Sequence, residues 1–398
     1  MEGGQGGSVR GWGNQNVVRL VSGTLRVMTK RIATVLGTLV ALGGLLLVGG
    51  CFDSEEEARV AEGPGAFSDL LRFVPDEAAY RERVTITDYA AIREHYGLEA
   101  RGGAEAWIEL AEAQQQEVVS VPFMSGILGA GRQDFLNAEE RWEAGFGFGF
   151  GEIDRTLVGG RPPPRKIYVV GGRFDAAGVE ETLAVCGECE PHEVLEYGGQ
   201  RYLAWGDGPE FHLDLSLARP AFDQFGRGGL FVFTDQHVIR AHWFEDVEWM
   251  IDASQGHNSL GERAGFAEVT AAADELGLFT LVLTDVTQEV GSGREPPKDA
   301  VLLRPYSVWG AGSGVDDEGV FTAVVLAHAS EEVAAENVGR LEERLATGSS
   351  VWREQAWSEL FSRVEVSSDG VVLTAKLYGA GSVEGLLIEG MDPLLLHE

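Results

Sequence analysis

Two thiols three residues apart, in Cys186-Gly-Glu-Cys189 with His192 close behind, are the side chains best placed by type and spacing to do chemistry. A CxxC pair supports redox exchange when it opens a helix, because the helix N-terminus lowers a thiol pKa. Here the pair follows the helical stretch AAGVEETLAV, at the end where the dipole has the opposite sign. Glu188 and Glu190 disfavour a thiolate further. A zinc site would use Cys186, Cys189 and His192 and would still need a fourth ligand, and no second CxxC occurs in the chain. Nearby thiols oxidise outside the cytoplasm. The expectation is a small structural disulfide, Cys186–Cys189, with metal binding, redox catalysis and free thiols as the competing readings. No metal and no cofactor is expected.

The other candidates are weaker. HExxH, GxSxG, SxxK, P-loop and GxGxxG signatures do not occur, so the common hydrolase, NTPase and dinucleotide motifs are missing. A triad assembled in space stays open, since its members need not be neighbours in sequence. The eight histidines are scattered. His237 and His242 share one hairpin at odd spacing, which points them to opposite faces of a regular strand. His95 and His328 read as packing or solvent-facing. Asp316-Asp317-Glu318 lies in the Gly-rich stretch GAGSGVDDEG and lacks the alternation of a calcium loop. It reads as a solvated turn. Trp243-Phe244 could rim a ligand groove, although most aromatic residues sit at core spacing.

The third cysteine, Cys51, has a different context. Residues 32–48 (IATVLGTLVALGGLLLV) carry no charge, Lys30 and Arg31 precede them, and Gly49-Gly50 follow. A basic start, an apolar run and small residues at the exit make a secretory signal. Val48-Gly49-Gly50-Cys51 resembles the lipobox of bacterial lipoproteins. That resemblance implies a diacylglyceryl group on the Cys51 thiol, cleavage before Cys51 and acylation of the new amine. Acyl chains of palmitate type then anchor the protein, and two or more hold firmly where one holds marginally. An uncleaved transmembrane helix is the competing reading. The run is at the short end for spanning, however, and Gly37, Gly43 and Gly44 weaken a helix. Residues 1–27 are Gly-rich and unpatterned, which points to Met28 as the true first residue or to a long disordered extension.

Charge narrows the partners. The chain carries 31 basic and 63 acidic residues, a formal charge of −32. Five of the basic residues and one acid precede Cys51, so the remainder holds 26 basic against 62 acidic residues, about −36. Phosphate recognition needs Lys/Arg stripes, so no nucleic-acid partner is expected, nor a surface that lies on anionic lipid.

These residues must be positioned by elements that the pattern only partly reveals. Residues 51–65 read as an acidic tether. Residues 66–150 read as mostly helical, with Asp88 capping YAAIREHY, Gly97 stopping it, and GFGFGFG (145–151) forming a strand or extended turn with its aromatics on one face. From 165 onward, strand, helix and hairpin recur about three times. Asp175 and Ser330 cap the helices that leave RKIYVVGGRF and VFTAVVLAHA. Hairpins turn at Gly198-Gly199, Asp235-Gln236 and Asp369-Gly370.

The fold class expected is therefore α+β, with repeated strand–helix–hairpin units, a mostly antiparallel sheet, helices on one face, and two lobes. The expected division is 1–27 extension, 28–50 signal, 51–65 tether, 66–290 helical segment and first lobe, and 291–398 second lobe. The stretches LLRFVPDEAAYRERVTITDYAAIREHYG, VVGGRFD, PAFDQFGRGG and MDPLLLHE resemble those of bacterial extracytoplasmic lipoproteins. That resemblance implies no particular activity. The functional expectation is a lipid-anchored, extracytoplasmic, non-catalytic binding or structural module. Its partners would be the membrane through Cys51 and a peptidoglycan, protein or small-molecule ligand. An envelope hydrolase with a spatially assembled site is the alternative.

Overall fold

Val84-Thr-Ile-Thr-Asp88 has the β-branched composition that suits a pleated surface, and in the computed structural model it is the strand around which the sheet is built. The structure describes residues 65–98, 143–160, 165–185, 193–205, 229–234, 236–290, 301–379 and 392–398, with isolated positions 103, 105, 106, 139, 140 and 387. All fall in the unit Val60–Glu398.

In chain order the elements are α1 (Ala66–Leu71), α2 (Ala78–Arg81), β1 (Val84–Asp88), α3 (Tyr89–Tyr96), β2 (Ile153–Gly159), β3 (Ile167–Gly172) and α4 (Ala176–Val185). Then follow β4 (Glu193–Tyr197), β5 (Gln200–Trp205), β6 (Gly229–Thr234), β7 (His237–Ala241), α5 (Phe244–Ser254), α6 (Phe266–Glu275) and β8 (Leu278–Thr284). The chain closes with β9 (Val308–Asp316), β10 (Gly319–Ala327), α7 (Glu331–Thr347), β11 (Ser349–Ser350), β12 (Gln355–Ala356), α8 (Trp357–Leu360), β13 (Phe361–Asp369) and β14 (Val372–Gly379).

The fold is α+β. Twelve strands form one sheet in the order β13-β14-β10-β9-β8-β1-β2-β3-β7-β6-β5-β4, and the pairs are antiparallel. β1 bonds β2 on one side and β8 on the other. The segment read as mostly helical thus contributes β1 to the middle of the sheet. Five residues between two helical signals gave too short a pattern to stand out. The strands assigned to two lobes also belong to one sheet, because β8 pairs directly with β9 across the intervening segment.

Helices cover both faces, where the sequence pattern suggested one. Leu70, Ile86, Val169, Ile239, Val269 and Leu281 belong to the core beneath α1, α5 and α6. The opposite face carries two clusters. Tyr89 and Ile92 of α3 join Val179 of α4 over β3, β6 and β7. Leu341 of α7 and Trp357 of α8 cover Trp309, Leu326 and Leu373 at the other end. A strand buried on both sides loses the alternation that identifies a one-sided sheet; β7 is buried at all five positions.

Local signals work as their chemistry requires. Asp88 Oδ1 accepts the Ala91 amide at 2.9 Å, Asp175 Oδ1 that of Gly178 at 2.7 Å, and Ser330 Oγ that of Val333 at 3.4 Å, each satisfying an orphan N–H donor at a helix start. Gly97 ends α3 at φ 65°, a conformation glycine enters without steric cost. In GFGFGFG, Phe146, Phe148 and Phe150 are 0%, 2% and 3% exposed and join one cluster as expected. The backbone there leaves a helical turn and enters a short 3-10 turn at Phe150–Glu152 rather than a strand.

GAGSGVDDEG departs most from expectation. It is not a loop but most of β9 and the turn after it. Gly310, Gly312 and Gly314 alternate on one face. A Cβ on Gly312 would lie 2.0 Å from the Thr280 carbonyl oxygen of β8, and one on Gly310 would lie 3.0 Å from Val269 of α6. The glycines let β8 and α6 approach this strand closely.

Candidate functional site

Cys51, Cys186, Cys189 and His192 lie outside the described residues, so the lipidation, disulfide and metal readings are not addressed by the geometry. Among the described residues no group of three or more His, Cys, Asp or Glu side chains could hold a metal ion. The polar clusters that the fold does assemble come from elsewhere in the chain.

One cluster surrounds Asp69 on the polar side of α1, where Phe67, Leu70 and Leu71 make the buried side. A β-bulge between Ile153 and Arg155 shifts the register of β2. Ile153 joins one face, whereas Leu157 joins the other. Arg155 then reaches Asp69 Oδ2 at 3.1 Å, and Asp154 pairs instead with Arg93 of α3. Re-aiming a side chain is what a bulge does within a strand. His237, the first residue of β7, brings Nε2 to 3.3 Å from the same Asp69 oxygen, and its ring packs on Phe73 at 4.7 Å. Arg72 Nε completes the set at 3.2 Å from Oδ1.

Burial pushes the Asp69 carboxyl up. The hydrogen bond and charge of His237, with the charges of Arg72 and Arg155, outweigh that effect and hold it below the usual carboxylate range. A carboxylate orienting an imidazole is half of a nucleophilic triad. The hydroxyl nearest in sequence, Ser68 Oγ, is instead donated to Asp274 at 2.7 Å. His237 was noticeable in the sequence. Asp69 and Arg155 were not, because neither the bulge nor the docking of α1 leaves a local signal.

A second cluster closes the C-terminus. His328 and Asn337 are buried, and the His328 Nε2 lies 2.8 Å from Asn337 Nδ2. Asn337 also accepts the Arg304 amide at 2.7 Å and donates to the Arg304 carbonyl at 3.0 Å. Arg344 of α7 donates to the Leu396 carbonyl at 2.8 Å, and burial pulls its guanidinium down to about 10. Tyr306 donates to the Leu395 carbonyl at 2.8 Å, and burial pushes its phenol up. Arg344 and Tyr306 thus tie Leu395 and Leu396 to the third core cluster.

The acid turn is not a bare solvated loop. Asp316 accepts Lys376 Nζ at 2.7 Å and the Tyr378 hydroxyl at 2.8 Å. Its carboxyl is held low, the bonds from Lys376 and Tyr378 outweighing burial. Beside the Trp243-Phe244 pair, the Arg165 guanidinium lies 6.0 Å from the Trp243 ring and 4.8 Å from that of Trp249, and Phe244 is 44% exposed. Arg165 also reaches Asp246 at 2.8 Å and Glu245 at 2.7 Å. His237 turns toward Asp69 and Phe73, and His242, buried like it, lies one residue past the end of β7. His95 stacks edge-on against Tyr96 at 4.6 Å.

No protein-family model matches the sequence, and comparison with curated proteins gives no match. Among solved structures, two crystal forms of TP0453 are similar at 8% identity. The first has a TM-score of 0.37, covering 81% of this chain and 96% of that one. The second has a TM-score of 0.34, covering 83% and 98%.

Proposed function

We propose that the chain is a lipoprotein, held to a membrane through acylated Cys51, whose α+β domain stands on the extracytoplasmic side as a non-catalytic binding or structural module. One observation carries this reading: the uncharged run 32–48 ends in Val48-Gly49-Gly50-Cys51, with an acidic segment directly after it. The processing chemistry needs a thiol where an apolar segment leaves the bilayer. The mutual engagement of Asp69, His237, Arg72 and Arg155 supports a bracing role for the charged cluster. A Cys186–Cys189 disulfide fits the oxidising side of the membrane.

Intact-mass analysis of membrane-extracted protein tests the reading. The expected species begins at Cys51, carries acyl chains and is two hydrogens lighter before reduction than after. Cys51→Ser should accumulate at precursor mass. An unmodified chain in the soluble cytosolic fraction would sink the proposal.

The hydrolase alternative draws on one specific contact, the 3.3 Å approach of His237 to Asp69. Covalent labelling of the wild type by a broad serine-hydrolase probe, abolished in a folded His237→Gln variant, would favour it over the module.

A further inference from the structure

Most of the apolar side chains near the C-terminal end of α7 are buried, with one exception. β11 and β12 pair as a minimal hairpin, Ser349 with Ala356 and Ser350 with Gln355. At its tip Val351 is 59% exposed and Trp352 63% exposed. They are the adjacent pair among the large hydrophobic side chains that the described residues leave in solvent.

The tip is built to stay there. Asp392, 0% exposed beneath it, accepts the Ser350 hydroxyl on one oxygen and the Val351 amide on the other at 3.2 Å. The Ser350 hydroxyl in turn accepts the Arg353 amide at 3.0 Å. Glu354 turns the chain back at φ 53°, a left-handed conformation that costs a non-glycine residue energy. The hairpin base rests on Trp357, 2% exposed, whose amide bonds the Gly348 carbonyl at 3.1 Å. A buried carboxylate and a strained backbone thus hold two apolar side chains away from a core that lies directly underneath.

We propose that this tip enters the interfacial layer of a lipid bilayer, with Trp352 at headgroup depth and Val351 beside it. The inference rests on the membrane attachment proposed above. Three observations choose a bilayer over other occupants. The chain from Cys51 to Gly65 can span at most about 50 Å when extended, so an anchored domain stays within reach of the membrane. The tip is the four-residue turn 351–354, exposed at every position, which a deformable layer can take up without a matching pocket. In the turn 351–354 the charge of Arg353 offsets that of Glu354, so in a chain that carries 63 acids the tip adds no net negative charge to repel anionic lipid. An indole with an apolar body and a polar N–H, next to an arginine, is the composition that settles at headgroup level.

The test uses the full chain reconstituted into phosphatidylcholine vesicles with acyl chains brominated near the headgroup. The fluorescence of Trp352 is taken as the difference between wild type and Trp352→Phe, which keeps the apolar bulk at an exposed position. The expected result is a blue-shifted difference spectrum that loses most of its intensity in brominated vesicles. Val351→Ser, which leaves the indole in place, should weaken the quenching. An unshifted, unquenched difference spectrum overturns the proposal. So does a blue shift that grows with protein concentration and ignores bromine, because that assigns the tip to a second copy of the chain. The mass of residue 51 separates this outcome from the lipoprotein reading. Lipid on Cys51 with Trp352 unquenched removes only the hairpin proposal, and quenching without lipid removes only the anchor.

Discussion

His328 uses both ring nitrogens as a neutral imidazole would. Nδ1 lies 3.2 Å from the Val371 carbonyl, which calls for a donor, and Nε2 lies 2.8 Å from the Asn337 amide nitrogen, which calls for an acceptor. A proton on Nε2 would set two donors against each other. Burial depresses the His328 pKa, and hydrogen bonds to the Val371 and Leu326 backbone offset only part of that. The folded value lies below the unfolded one, so between the two the unfolded chain binds more protons. This contribution is complete above the unfolded pKa of about 6.5 and is lost as pH falls through the folded value. Urea midpoints should therefore drop between about pH 7 and about pH 5, and His328→Gln should flatten that slope. Asp88, Asp246 and Asp285, which burial pushes up, have the opposite slope, so the informative quantity is wild type minus variant. Asp69, held low, contributes stability that disappears only at more acidic pH. Asp69→Asn should cost about 1.5–3 kcal/mol at neutral pH, read by urea denaturation, because it weakens hydrogen bonds to charged partners.

Glycine means opposite things in two elements, and that can be measured. Gly312 in β9 has the Thr280 carbonyl where a methyl would go; Gly312→Ala should lower stability by about 1–3 kcal/mol or more, since backbone must move. Gly339 in the middle of α7 has nothing within 4 Å; Gly339→Ala should raise stability by about 0.5–1 kcal/mol through helix propensity alone. Thermal unfolding of the two variants side by side tests both signs. The same contrast shows what was legible at this scale. Caps and hairpin turns depend on neighbours in the chain, so Asp88, Asp175, Ser330 and Gly370 were found where they act. β1, β2 and β9 were not recognised. The first two are short stretches beside helical patterns, and the third spends its inner positions on glycine, which carries no hydrophobic signal. The candidate ionic site failed for a related reason, as its carboxylate, arginine and imidazole come from α1, β2 and β7.

Over the whole molecule, a formal charge of −32 means that folding brings like charges together. Self-repulsion should lower stability at low ionic strength, and raising NaCl from about 0.05 to about 0.5 M should raise the melting temperature as screening shortens the range of that repulsion. No change or a fall would show that the ion pairs around Asp69, Asp76 and Glu336 outweigh it.

What the sequence determined by itself is the local and the additive. It specified the apolar run before Cys51, the net charge, the helix caps, the tight turns, and an α+β class with antiparallel strands, because each depends on a residue and its near neighbours or on a sum over all residues. Only the tertiary structure decided that the strands make one sheet, that helices cover both of its faces, that a bulge carries Arg155 to Asp69, and that Asp392 holds Trp352 in solvent. Those outcomes depend on which distant surfaces bury each other, and that choice is made by close packing across the whole chain.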